Sequence, residues 1–134
     1  MPTIPTIVLV HAGTDDRRMY AEYLCAHGFR VHEASTTDGA LALIDNCDLV
    51  ITGLLVPGSI DGVELIARIR AKHSALPIIV VTACALRTIQ DAARTAGCDE
   101  LLTKPCFPEH LLESVRGLLE TPPARRQLPV RAHQ

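Results

Sequence analysis

Short, continuously apolar runs alternate along the chain with longer stretches in which apolar residues recur every three or four positions. Ile7-Val8-Leu9-Val10, Leu49-Val50-Ile51-Thr52 and Ile78-Ile79-Val80-Val81-Thr82 are runs of the first kind; Arg30 to Glu33, around Val31, and Leu101-Leu102 are weaker ones. Runs apolar on both faces are what parallel strands look like when helices cover the sheet on both sides. The periodic stretches predict five helices. The first carries Tyr20, Tyr23, Leu24 and His27 and stops at Gly28, with Thr14 as cap and Asp15 and Asp16 at the positive end of its dipole. The second opens at Ser35, with Asp38 three residues on, and carries Leu41 and Ile44. The third runs from about Gly62 to Lys72 with Leu65, Ile66 and Ile69 inward; the fourth carries Ile89, Ala92, Ala93 and Ala96 before Gly97. The fifth places Leu111, Leu112, Val115, Leu118 and Leu119 behind Pro108. Five strand-then-helix units imply one α/β domain, a doubly wound five-stranded parallel sheet with helices on both faces.

In such sheets, ligands and reactions are found beyond the carboxyl ends of the strands. That directs attention to His11–Thr14, Gly53–Gly62, Thr82–Leu86 and Thr103–Phe107. Residues 1–120 form the domain. Residues 121–134 hold three prolines, three arginines and no acid, and read as a tail or linker stub. A net charge of -2 argues against a dedicated nucleic-acid binder, and 3% aromatic content against base-stacking platforms. The Arg125-Arg126 pair is then a solvated end. Five cysteines with no CxxC pair suit a reducing cytoplasm, and no stretch is long enough to cross a membrane.

Taken in order, Asp48-Leu49-Val50-Ile51-Thr52, Pro57, Asp61-Gly62-Val63-Glu64-Leu65, Pro77 to Ala83, Ala96-Gly97-Cys98-Asp99 and Lys104-Pro105 resemble the receiver domains of two-component response regulators. The resemblance spans Thr6 to Leu119 and implies the flavodoxin-like (βα)5 strand order 2-1-3-4-5. The family uses two acids after the first strand to hold Mg²⁺, an aspartate after the third strand as phosphoacceptor, a Thr or Ser at the fourth, and a Lys after the fifth. On this alignment the acidic pair falls on His11 and Ala12, and the phosphoacceptor on Gly53. All three acids are absent. Thr82, Lys104 and Pro105 retain the family types, with a Lys-Pro bond that is usually cis in the family. Leu101 occupies the aromatic switch position. The loop Pro57-Gly58-Ser59-Ile60-Asp61-Gly62 is one residue longer than the commonest family form.

The resemblance with its departures implies an atypical receiver, or pseudo-receiver. This is a cytoplasmic, non-enzymatic module of two-component signalling that acts by phosphorylation-independent protein–protein interaction. No cofactor is expected, and Mg²⁺ is not. The partner surface is Arg87 to Leu119, which also serves a homodimer; neither nucleic acid nor membrane is a partner. With no output domain following in this sequence, output is expected through a partner or a portion outside it. Two alternatives stand beside this reading: a sensor of a small anion or ligand in the vacated pocket, and a phosphorylatable regulator with a relocated acceptor. The loss of acids makes the pocket net positive unless Lys104 pairs with Asp99 or Glu100. His11 has a metal-ligand reading against a plain hydrogen-bonded one, and Cys84 with Cys106 a redox reading against small semi-buried hydrophobes.

Overall fold

The structure is a computed structural model that describes residues 3–121. Strands β1 (Thr6–Val10), β2 (Arg30–Ala34), β3 (Leu49–Thr52), β4 (Ile78–Thr82) and β5 (Glu100–Thr103) alternate with helices α1 (Thr14–Ala26), α2 (Thr37–Leu41), α3 (Gly62–Lys72), α4 (Arg87–Ala96) and α5 (Pro108–Glu120). A 3-10 turn, Ile44–Asn46, follows α2. All strands are parallel, in the order β2-β1-β3-β4-β5, the five-stranded doubly wound fold expected.

The period of two along each strand distributes the core. Val8, Val10, Val50, Ile78 and Val80 point to one face and meet Ala40, Ile44, Leu65, Ile66, Ile69 and Ala93 from α2, the 3-10 turn, α3 and α4. Their neighbours Ile7, Leu9, Leu49, Ile51, Ile79 and Val81 point to the other and meet Tyr20, Leu24, Leu111, Val115 and Leu118 from α1 and α5. Because both faces are covered, the three central strands carry apolar side chains at successive positions, and that is why their runs are continuous. Edge strand β2 is covered less and keeps Arg30, His32 and Glu33 exposed, which also discourages pairing with another sheet.

Local readings needed five corrections. Thr14 does not cap α1: the cap position is Gly13, with no side-chain cap bond, because the chain enters helix one residue earlier than the hydroxyl reading required. The cap of α2 is Thr36, not Ser35; its hydroxyl accepts from Gly39 N–H at 3.0 Å. The second helix is a single short segment broken before Ile44, not one stretch through it. Ala92 in α4 and His27 at the end of α1 are exposed; the His27 ring stacks on Tyr23 at 4.3 Å without entering the core. The proposed tail, apart from Thr121, lies outside the described residues.

Candidate functional site

The ladder hydrogen bonds run one residue past the strand ends, and this fixes the site. His11 N–H donates to the Ala34 carbonyl at 3.0 Å, Gly53 N–H to the Val10 carbonyl at 3.0 Å, and Lys104 N–H to the Thr82 carbonyl at 2.9 Å. These residues therefore project from the carboxyl edge of the sheet with backbones held by the preceding strands. They line an open pocket of about 120 Å³ together with Ala12, Leu54, Leu55, Val81, Thr82 and Ala83. His11, Ala12, Gly53 and Thr82 thus gather in one place, and Lys104 joins them from the loop after β5.

The interior of this pocket is apolar, apart from Lys104, His11 and Thr82. Thr82 is 3% exposed, and its hydroxyl accepts from Cys84 N–H at 3.0 Å. Gly53 is buried, and a Cβ there would meet only Val56 Cγ2 at 3.6 Å and the Val81 carbonyl at 3.7 Å, so the position has ordinary room for a side chain. Leu101, in β5, is half-buried against the α3–α4 core and pairs in register with Val80. The Lys104–Pro105 bond is cis.

Lys104 does not pair with Asp99 or Glu100, as considered from the sequence. Its ammonium donates to Asp16 Oδ2 at 2.6 Å and lies 2.6 Å from His11 Nε2. Asp99 is held by Arg70 and by Ile78 N–H instead, on the opposite edge of the sheet. The expected surplus of positive charge is thereby corrected: Asp16 compensates Lys104, and a neutral His11 leaves the group without net charge. Asp16 stands in the first turn of α1, as expected, and takes the Lys104 pair in addition. The bond from Lys104 holds its carboxyl below the ordinary range of an aspartate. Sequence reasoning missed Asp16 as a site residue. The signal was present in its spacing, for Asp16 lies one helical turn before inward-facing Tyr20 and so shares its face. Tyr20 itself donates its phenol to the Cys106 carbonyl at 2.7 Å, tying α1 to the loop that carries Lys104.

His11 is held from several sides. Its Nδ1 lies 3.0 Å from Gly13 N–H, and its carbonyl accepts from the Arg17 guanidinium at 2.9 Å. Arg17 is in turn paired with Glu33 of β2 at 3.0 Å. Burial, and next the neighbouring Lys104 charge, lower the imidazole below its ordinary value. Cys84 and Cys106 are free thiols at this edge. Burial raises the Cys106 thiol, which works against its ionisation and against a nucleophilic role.

As a donor set these residues do not fit Mg²⁺, which prefers several hard oxygen ligands. The pocket lining contains no carboxylate, and the nearby acid, Asp16, is engaged by an ammonium. Among the described residues no group of three or more His, Cys, Asp or Glu is placed to share a metal ion, and no helix is long and apolar enough to cross a membrane.

Comparison with known proteins gives a concordant picture. The family model described as response regulator receiver domain matches residues 7–116. The chain is 35% identical over 105 residues to the transcriptional regulatory protein ResD of Bacillus subtilis, covering 77% of this chain and 43% of ResD. It is 31% identical over 100 residues to a cyclic di-GMP phosphodiesterase of Thermotoga maritima, covering 75% of this chain and 27% of that protein. The chain therefore spans less than half the length of these relatives. Among solved structures, a response regulator from Chloroflexus aurantiacus superposes with a TM-score of 0.81 at 29% identity, covering 89% of this chain and 100% of that one. A CheY-like receiver domain protein from Methanospirillum hungatei reaches 0.83 at 24% identity, covering 93% and 98%, a likeness of fold.

Proposed function

This chain belongs to the response-regulator receiver family, and from that premise we propose that it is an atypical receiver, which signals by binding a protein partner and accepts no phosphoryl group. The observation that carries the reading is the pocket lining, in which His11, Ala12 and Gly53 stand beyond β1 and β3 and no carboxylate is present. Aspartyl phosphorylation needs a carboxylate nucleophile and a cation to offset the charge of the transferred group. Glycine supplies no nucleophile, and the donor set does not suit the cation. On this reading the module is not an enzyme, uses no cofactor, acts in the cytoplasm, and presents its partner surface along Arg87 to Leu119, either to another protein or to a second copy. With no phosphoryl group, no differential binding energy moves the fold between two signalling states, and the surface is presented constitutively.

Intact mass after incubation with acetyl phosphate and Mg²⁺ tests the reading. The expected spectrum is unchanged. A stoichiometric gain of one phosphoryl group would overturn it, and fragmentation that places the gain on Asp16 would favour the relocated-acceptor alternative. That alternative has one observation behind it: the Asp16 carboxylate is the acid that reaches Lys104.

A further inference from the structure

The His11–Lys104 contact contains more hydrogen-bond donors than it can satisfy. A neutral imidazole has one N–H and one lone pair. Two donors face this ring, Gly13 N–H at Nδ1 and the Lys104 ammonium at Nε2, 3.0 and 2.6 Å away. One lone pair serves one of them. Protonation removes the lone pair altogether and places an imidazolium N–H beside an ammonium. Lys104 can then keep Asp16 as its acceptor, but Nε2–H needs a new one. On the pocket side none is available as an anion, because the lining is Ala12, Gly53, Leu54, Leu55, Val81, Thr82 and Ala83. The charged groups around His11 are Lys104 from the loop after β5, Asp16 and Arg17 from α1, and Glu33 of β2, which is engaged by Arg17. Strands β3 and β4 contribute no charged side chain to the pocket.

We propose that this pocket is a proton-coupled site for a small free oxyanion such as sulfate or inorganic phosphate, which His11, once protonated, and Lys104 hold between them. The proposal rests on the reading that no covalent phosphoryl group forms here. The pocket's volume of about 120 Å³ accommodates a few water-sized groups, not a large ligand. Linkage makes the coupling reciprocal: acidification tightens the anion, and the anion makes the His11 proton easier to add. The lowered affinity of His11 for its proton in the empty pocket is consistent with this, since the cost arises from burial and from Lys104, and an anion offsets both.

The test follows backbone amide shifts during sodium sulfate titration at pH 5.5 and pH 8.0, with ionic strength held constant by sodium chloride. Sulfate transfers no group to the protein, so its outcome is independent of the phosphorylation assay: a mass gain there defeats the proposed function, whereas the sulfate result decides the anion site. Saturating shifts at Ala12, Gly53 and Ala83 are expected at pH 5.5, with a dissociation constant on the order of millimolar, weakening about tenfold or more at pH 8.0. Asp16→Asn removes the competing carboxylate and should tighten binding severalfold at both pH values. Lys104→Gln should abolish it, and His11→Asn should abolish its pH dependence. Absence of saturating pocket shifts at pH 5.5, equal affinity at the two pH values, or weaker binding in Asp16→Asn would each overturn the proposal. Tighter binding of O-phosphoserine than of sulfate would overturn its assignment to a free ion.

Discussion

At the scale of single residues, this site is a small charge network on a backbone held by the strand ladders. The ammonium of Lys104 finds a carboxylate on α1, at Asp16, and an imidazole from the loop after β1. The lowered proton affinity of His11 gives the fold a pH dependence of defined sign. Folded protein binds this proton less readily than the unfolded chain, so the neutral ring's contribution is complete above the unfolded value of about 6.5 and is lost as pH falls from there through the lowered folded value. Urea unfolding at pH 7.5 and 5.5 should therefore show a larger loss of stability on acidification in the native protein than in His11→Asn. An equal loss in the two would assign the dependence to other groups. Gly53 makes the second prediction. Its φ is not positive and a Cβ meets only ordinary contacts, so Gly53→Ala should leave stability unchanged or raise it by up to about 1 kcal/mol, mainly by restricting the unfolded chain. Denaturant midpoints measure this directly.

At the scale of elements, two connections hold the sheet's helices in place by polar contacts that no hydrophobic pattern announces. Arg70, on α3, donates to the carbonyls of Gly97, His73, Ser74 and Leu76 and to the Asp99 carboxylate. It thus joins the end of α3 to the turn after α4, where Gly97 takes φ +120 and lies against the arginine side chain. Arg70→Ala should cost about 3 kcal/mol, because it removes a donor from several partly buried carbonyls and the cationic partner from Asp99. Arg70→Lys should recover only part of this, since one ammonium cannot reproduce the planar fork. The second connection is the long loop before α3. Thr37 Oγ1 donates to the Ile60 carbonyl at 2.8 Å, and Asp38 accepts from Ser59 Oγ at 2.7 Å and from Ser59 N–H at 3.0 Å. The loop closes where Gly62 passes the backbone of Leu54, whose carbonyl oxygen would lie 2.6 Å from a Cβ at that position. Gly62→Ala should consequently destabilise by about 1–3 kcal/mol, the opposite of the change at Gly53, although both glycines flank the same loop.

At the scale of the whole molecule, the sheet separates two cores, and the pocket lies at the edge where both end. Loops from β1, β3 and β4 and the Lys104 loop meet there, and the pocket lining takes Leu54 from one core and Val81 from the other. On the atypical-receiver reading, amide shifts along α4 and β5 should stay where they are when acetyl phosphate and Mg²⁺ are added, because no phosphoryl group becomes attached; a reversibly held oxyanion moves only pocket amides such as those of Ala12, Gly53 and Ala83. Displaced resonances throughout that surface would indicate a second state and defeat the constitutive reading.

How far the sequence alone determined this protein follows from what kind of interaction sets each feature. Burial on both faces of a parallel sheet imposes continuous apolar runs, and burial on one face of a helix imposes a three-to-four-residue period. These are local signals, and so β1, β3 and β4, the long helices and the position of the pocket residues His11, Ala12, Gly53, Thr82 and Lys104 were legible. Weaker burial made β2 and the broken second helix less so, and of the neighbouring hydroxyls at Ser35 and Thr36 the pattern pointed to Ser35, whereas backbone geometry makes Thr36 the cap of α2. The partners of Lys104 and Arg70 could not be read from the chain. Asp16 is 88 residues from Lys104, and Asp99 is 29 residues from Arg70. Each pair exists only because strand order and helix packing bring the two ends together. Sequence fixes which charges are present, but a charge pair depends on distance and on the loss of surrounding water, and those belong to the tertiary structure.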